Sequence, residues 1–349
     1  MNLQVEGLEN YPVNYPDYDY TPDNGTDYNI SSVGHGTFTD TKSFLTNTLV
    51  AISVTISVMG LGGNAVVIWI CGWKMKKSVN TTWYLSLAIS DFLFCAFLPL
   101  EIVYLVTTNW PFGRLLCKLT SSALFLNMFS SVFLLVLISV DRCVMITFPV
   151  WSQNHRTVWK ATLAVLLMWA LSATLTLPAL IYRTTTVHGS VTQCHNDYMT
   201  VSRHKVVALT RFICGFVIPF LIIVFCCSVL CLRLRSLTIK STKPYKVMTA
   251  LILSFFICWV PYHTFILLEF DLGNHNLNII KSGLHVGVTL AAANSFINPF
   301  LYVFIGNDFQ RTLKHSFMSR IENAMADDGR TGGYNPTRTN VNDIRDMPL

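Results

Sequence analysis

Along this chain, charged positions withdraw seven times, each time leaving a mostly apolar run of more than 20 residues. The runs cover residues 44–73, 81–106, 115–146, 159–181, 205–232, 246–270 and 279–305. A helix needs about 20 mostly apolar residues to cross the hydrocarbon core of a bilayer. Pro99, Pro178, Pro219, Pro261 and Pro299 lie inside or near the runs. Membrane helices tolerate such prolines as kinks, because neighbouring groups satisfy the freed carbonyls. The pattern predicts an all-α membrane protein with a seven-transmembrane helix bundle over residues 43–305.

Composition agrees. Hydrophobic residues make up 52% of the chain and charged residues 13%, with a mean hydropathy of +0.46. Soluble domains carry roughly 25% charged residues, so the chain does not read as a water-exposed globule. Basic residues set the expected orientation. Lys74, Lys76, Lys77, Arg156, Lys160, Arg233, Arg235, Lys240, Lys243, Arg311, Lys314 and Arg320 fall on one side. The other side has chiefly Arg114, Arg183, Arg203 and Lys281. The N-terminus is therefore expected outside the cell and the C-terminus in the cytoplasm.

Residues 1–42 form an acidic tail without the basic start and apolar core of a cleaved signal peptide; the first span is expected to serve as the insertion signal. Asn24 and Asn29 are glycosylation acceptors on the expected outer side, whereas Asn80, in Asn80-Thr81-Thr82, falls on the inner side and should be silent. Phe309, Leu313 and Phe317 recur every four residues, with Arg311, Lys314 and His315 between them. Residues 306–320 thus read as a short amphipathic helix on the inner membrane surface, or as a soluble capping helix with the same pattern. Residues 321–349 read as a disordered cytoplasmic tail.

Most of the ten cysteines lie in the spans and read as small buried hydrophobes. Cys117 and Cys194 fall on the oxidising side, and a disulfide between them is expected.

Polar residues within spans are mostly functional. Asn127 and Ser131 are four apart, as are Asn294 and Asn298, so each pair shares a helix face. Facing Asp91, they make either a site for a small hard cation such as sodium or a hydrogen-bonded network around a protonated carboxyl. Asn64 and Ser295 join this polar set. Arg211 lies within the fifth span and must face a cavity or ligand anion, unless Glu101 or Glu269 neutralises it. Pro299 lies one turn before Tyr302, and Trp259 sits beside Pro261 with Phe255 below; both arrangements read as hinges. Asp141 and Arg142 close the third span as an ionised pair, a charged switch at the end of a buried helix that suggests a protein carrying a signal across the bilayer. No HExxH, GxSxG or paired intramembrane acids appear, so the chain does not read as an enzyme. Related halves of the transporter kind are not evident either, and no lysine stands at mid-span seven as an opsin requires.

In order along the chain stand Gly63-Asn64, Leu87-Ala88-Ile89-Ser90-Asp91, Trp110, Cys117, Asp141-Arg142-Cys143, Trp169, Pro219, Cys258-Trp259-Val260-Pro261 and Asn298-Pro299-Phe300-Leu301-Tyr302. With these pieces the whole membrane region resembles the rhodopsin-like (class A) G-protein-coupled receptors. Cys143 and the polar run 149–156 narrow the resemblance to chemoattractant receptors, the formyl-peptide, anaphylatoxin and chemerin receptors. Ser202-Arg203-His204, Thr210-Arg211-Phe212 and Pro261-Tyr262-His263-Thr264 carry the strongest likeness, to the chemerin type.

The resemblance implies a plasma-membrane receptor for a peptide or protein ligand (chemerin-like), whose C-terminal end enters the bundle and which activates Gi-type G proteins. Arg211 and Arg183 would receive the terminal carboxylate, with Glu269, Glu101, Phe125 and Tyr262 as further ligand contacts. Trp259, Phe255, Pro299 and Tyr302 would carry the switch to Asp141 and Arg142, and arrestin and receptor kinases are further partners. Sodium at Asp91 would favour the inactive packing. Tyr11, Tyr15, Tyr18 and Tyr20 resemble a tyrosine-sulfation region, or are part of an ordinary acidic tail.

Three features depart from the family pattern. Cys227 replaces the tyrosine that meets the Asp-Arg arginine in the active state. Glu101 stands where chemerin receptors carry histidine, and the cytoplasmic tail is poor in Ser and Thr. These departures admit a non-signalling or arrestin-biased scavenger receptor for the same ligand class, or a formyl-peptide or anaphylatoxin type, as alternatives.

Overall fold

The structure, a computed structural model, describes residues 35–237, 243–271, 277–305, 309 and 311–313. Helix α1 runs His35–Trp69 and passes into a π-helical stretch, Ile70–Lys74. Then follow α2 (Val79–Thr107), α3 (Gly113–Thr147), the short α4 (Pro149–His155) and α5 (Val158–Tyr182). Strands β1 (Arg183–His188) and β2 (Val191–Asn196) pair antiparallel, with Thr185 opposite Cys194. Helix α6 (Val201–Phe212) continues through π-helical Ile213–Val217 into α7 (Ile218–Leu237). Helices α8 (Lys243–Leu268) and α9 (Leu277–Ile305) follow. Among the described residues, seven helical segments are long and apolar enough to cross a membrane, α6 and α7 forming one of them.

Local chemistry sets the helix ends. Ser78 caps α2 by accepting the Thr81 N–H while Thr81 Oγ1 accepts the Ser78 N–H, a reciprocal capping box. Thr157 and Thr200 cap α5 and α6 in the same sense. At the far end of α5 the Lys118 amine donates to the Leu180 and Ile181 carbonyls, satisfying acceptors the helix leaves open. Pro219 lacks an N–H for the carbonyl four residues back. Just before it the chain widens, and the Ile218 N–H bonds Ile213 O, five residues back.

The bundle is inside-out relative to a soluble protein. Val58, Leu166, Leu221, Phe225 and Ile257 are exposed, as helices facing hydrocarbon require. Polar and aromatic groups turn inward, with α3 at the centre touching α2, α5, α7 and α8. Its Met128, Phe129, Val132 and Leu134 are fully buried. Trp169 Nε1 donates to Ser86 Oγ at 2.9 Å and ties α5 to α2. Small residues set the closest approaches. A Cβ on Gly287 of α9 would lie 2.8 Å from the Tyr262 Cα of α8, and one on Gly63 would lie 3.0 Å from the Pro299 side chain.

The hairpin lies across one end of the bundle. Cys117 and Cys194 form the expected disulfide, Cα atoms 5.7 Å apart. The Trp110 N–H donates to Thr192 O at 2.8 Å, and Asn109 Oδ1 accepts the Thr192 N–H at 2.9 Å. The Cys194 N–H donates to the buried Tyr104 hydroxyl at 3.3 Å. Asn24, Asn29, Tyr11, Tyr15, Tyr18 and Tyr20 lie outside the described residues, as does the tail 321–349. Of the amphipathic segment, Phe309 and residues 311–313 are helical; Phe309 is buried against the bundle, Leu313 packs there too, and Arg311 is exposed. Lys314, His315 and Phe317 lie outside the described residues.

Candidate functional site

Beneath the hairpin, a cavity of about 190 Å³ opens between the helices. Five of the six expected ligand contacts line it: Glu101, Phe125, Arg183, Arg211 and Glu269. Arg211 is buried, with its guanidinium carbon 3.4 Å from the Phe125 ring centroid. That places a desolvated cation on the negative face of an aromatic ring. Glu269 Oε2 lies 3.9 Å from His204 Nε2. His204 stacks on Tyr198, centroids 4.6 Å apart, and meets Phe270 edge-on. Arg183 begins β1, and its Nε donates to Cys194 Sγ at 3.2 Å, so the disulfide fixes this second cation over the cavity.

Tyr262 is a correction. It is fully buried and does not line the cavity. It lies below, between Phe125 (6.2 Å) and Trp259 (5.7 Å, edge-on). Its position on α8, one turn inward of Ile266, places it under the cavity floor rather than in it. His204, Lys281 and His285 line the cavity and were not among the expected contacts. Inward-facing polar residues on the outer turns of α6 and α9 were the available signal. With Arg183 and Arg211, Lys281 brings three permanent cations to the wall against the two carboxylates.

From Tyr262 a column of rings descends. Trp259 and Phe255 are both fully buried, with centroids 5.9 Å apart and near-parallel planes. Beside this column Asp91 is wholly buried, and neither ion pair among the described residues involves it. Asn127 Nδ2 donates to one of its oxygens and Asn298 Nδ2 to the other, both at 2.8 Å. Ser295 Oγ donates to Asn127 Oδ1, and Asn64 Nδ2 to Ser295 O. Ser131 Oγ and Asn294 Oδ1 are buried with no hydrogen-bond partner among the described residues. The buried carboxylate on α2 and the unpartnered buried oxygens on α3 and α9 are the donor chemistry a small hard cation takes.

Toward the opposite end, Pro299 packs on Gly63, and Tyr302 is buried 4.9 Å from the Tyr84 ring. Here the structure corrects the expected Asp141–Arg142 pair. Asp141 is held by Arg156 from the start of the α4–α5 connection: Nε to Oδ1 at 2.7 Å and Nη2 to Oδ2 at 3.0 Å. Arg142 turns away and donates through Nη2 to Asn80 Oδ1 at 2.8 Å. The same oxygen accepts Arg156 Nη2 at 2.7 Å. Arg156 thus takes the acid, and Arg142 takes the neutral amide oxygen of Asn80. Cys227 is half-buried and packs against the core, while its neighbour Cys226 is buried.

Seven membrane helices, a disulfide-tied hairpin over a charged cavity and a ring column leading to a buried arginine define the transmembrane receptor class. The 7 transmembrane receptor (rhodopsin family) sequence pattern matches residues 63–302, and the chain belongs to that family. It is similar to Chemerin-like receptor 1 of Homo sapiens, 41% identical over 307 residues that cover 82% of each chain. It is also similar to the C3a anaphylatoxin chemotactic receptor of Oncorhynchus mykiss, 37% identical over 331 residues, 92% of this chain and 89% of that one. Chemerin-like receptor 2 of Macaca mulatta is 38% identical over 270 residues, 74% of this chain and 76% of its own. The protein is thus a class A G-protein-coupled receptor related to chemerin and C3a receptors, a multi-pass plasma-membrane protein and not an enzyme. Its partners are an extracellular ligand and a G protein.

Proposed function

We propose that this receptor detects a chemerin-like peptide or protein whose C-terminal carboxylate enters the cavity, and that it activates Gi-type G proteins. The observation that carries the reading is Arg211, a buried cation on the cavity wall with a second cation, Arg183, fixed above it by the disulfide. A carboxylate arriving there forms charge-assisted hydrogen bonds in a site shielded from water, where they are strongest. The excess of Lys and Arg in the connections at the other end supports an N-terminus and hairpin outside the cell and a C-terminus in the cytoplasm.

In this mechanism the ligand favours one of two packings of α6 to α9, and it shifts the balance only by its differential affinity for them. Phe125 passes the choice through Tyr262 to Trp259 and Phe255. The hinge at Pro299 and Tyr302 follows, and Arg142 becomes available to the G protein. Arrestin and receptor kinases would end the signal. Sodium, held by Asp91 with Asn127, Ser131, Asn294 and Asn298, would favour the resting packing. Replacing Asp91 by Asn should then remove any dependence of agonist affinity on sodium. Agonist binding that ignores sodium in the unmodified receptor would count against the site.

The deciding experiment screens C-terminal chemerin peptides, formyl peptides and anaphylatoxins for Gi dissociation in cells. A free-acid peptide should act and its amidated form should lose potency; equal potency of the two forms would sink the carboxylate assignment. Cys227, without the hydroxyl expected at that position, favours a second reading, a scavenger that internalises ligand. Internalisation of an active-site ligand with no Gi dissociation would decide for it.

A further inference from the structure

Asn80 sits in the first turn of α2, in a sequon that its expected inner location makes silent, yet its side chain has a definite structural position. Its amide oxygen accepts from Arg142 at 2.8 Å and from Arg156 at 2.7 Å. Arg156 meanwhile closes both carboxylate oxygens of Asp141 in a fork-like pairing. The acid therefore already has a cationic partner, and the bond that keeps Arg142, itself buried, in place ends on a neutral acceptor.

We propose that Asn80 is the positioning residue for Arg142, holding it at rest by a neutral amide oxygen while Arg156 keeps Asp141 occupied. This rests on the reading of Arg142 as the group presented to the G protein. When Arg142 leaves, no carboxylate is stripped of its counter-ion, because the Arg156–Asp141 pair stays closed. The Asn80 oxygen also remains engaged by Arg156 and is not left bare in the interior. Departure thus breaks the hydrogen bond to Asn80 and a long one from Nη1 to Met145 Sδ at 3.8 Å, both to uncharged groups. That makes the resting state shallow, in a receptor where Cys227 supplies no hydroxyl to receive Arg142 afterwards. Arg156 has a less obvious part: with it removed, Asp141 is free to capture Arg142 and deepen the resting state.

The test measures ligand-free binding of nucleotide-free Gi to purified full-length receptor in nanodiscs. Asn80→Ala should tighten binding by roughly tenfold, the size expected for a lost hydrogen bond to a charged group. Asn80→Asp, which sets a carboxylate against two guanidinium groups, should weaken it, and Arg156→Ala should weaken it too. Both Asn80 variants lose the sequon and the native amide equally, so general damage to the fold cannot produce opposite signs. Ala and Asp variants that move together, or that leave binding unchanged, overturn the proposal. Arg142→Ala separates the two layers. If it abolishes Gi binding while the Asn80 variants fail to diverge, only the role of Asn80 falls. If it leaves Gi binding intact, the reading of Arg142 falls and the proposal with it.

Discussion

Both ends of the bundle bury arginines but treat them differently. Under the hairpin, Arg183 and Arg211 line an open cavity that Lys281, Glu101 and Glu269 also face. At the other end, Arg142 and Arg156 close onto Asn80 and Asp141 in one hydrogen-bonded network. A buried charge needs a partner. The lower set shares its partners in one hydrogen-bonded network, while the upper set lines a cavity.

The largest way to break this contrast is to cut the staple above the cavity. Cys117→Ala with Cys194→Ala opens a loop with a sequence separation of 77, and the loss should be about 4 kcal/mol on the loop-closure scale. Ligand binding and surface expression should fall together, measured by flow cytometry and radioligand saturation. Normal binding would mean that the hairpin does not need the bridge. Next in size is Gly287→Val, which drives a side chain into the Tyr262 backbone at the α8–α9 crossing. Overpacking of that kind typically destabilises by about 1–3 kcal/mol. Thermal unfolding followed by a thiol dye reporting buried Cys71, Cys95 and Cys258 should shift down. An unchanged midpoint would show that the two helices have room to part.

The smallest expected effect sharpens the upper site alone. Phe125→Leu keeps the volume apolar but removes the ring beneath Arg211, a loss of about 1–2 kcal/mol. Potency of a free-acid peptide should drop roughly tenfold in a Gi dissociation assay. Nucleotide-free Gi binding without ligand should stay as in the unmodified receptor. A change in the ligand-free binding as well would mean that the two ends are not separable at Phe125.

The spans were legible because loss of charge over 20 residues has one main physical cause, burial in hydrocarbon. Asp91, Asn127 and Asn298 could be grouped from helical spacing, since intervals of four place residues on one face and Asp91 supplied the charge. The disulfide followed from topology alone. The partner of Arg142 did not. Asn80 lies 62 positions earlier and Arg156 lies beyond a short helix, so neither spacing nor periodicity links them, and an adjacent acid was the natural but wrong choice. Tyr262 was misplaced for a related reason: periodicity says which residues share a face of α8, but not the depth at which a cavity floor crosses it. His204, Lys281 and His285 escaped because each is an ordinary polar residue near a helix end, and only the assembled bundle brings them to one wall.

The widened turn at Ile213–Val217 has a consequence for how this helix keeps time. An extra residue in one turn advances everything beyond it by about 100° relative to an uninterrupted α-helix. Arg211 is on one side of that phase step and the Pro219 half of the span on the other. Deleting a single residue within the step would leave the span long enough, apolar enough and oriented as before. Hydropathy would register nothing, yet the clock of the outer half would be reset, and Arg211 would turn off the cavity wall. One residue of helical phase, with no change in composition, separates this binding site from a bundle that has none.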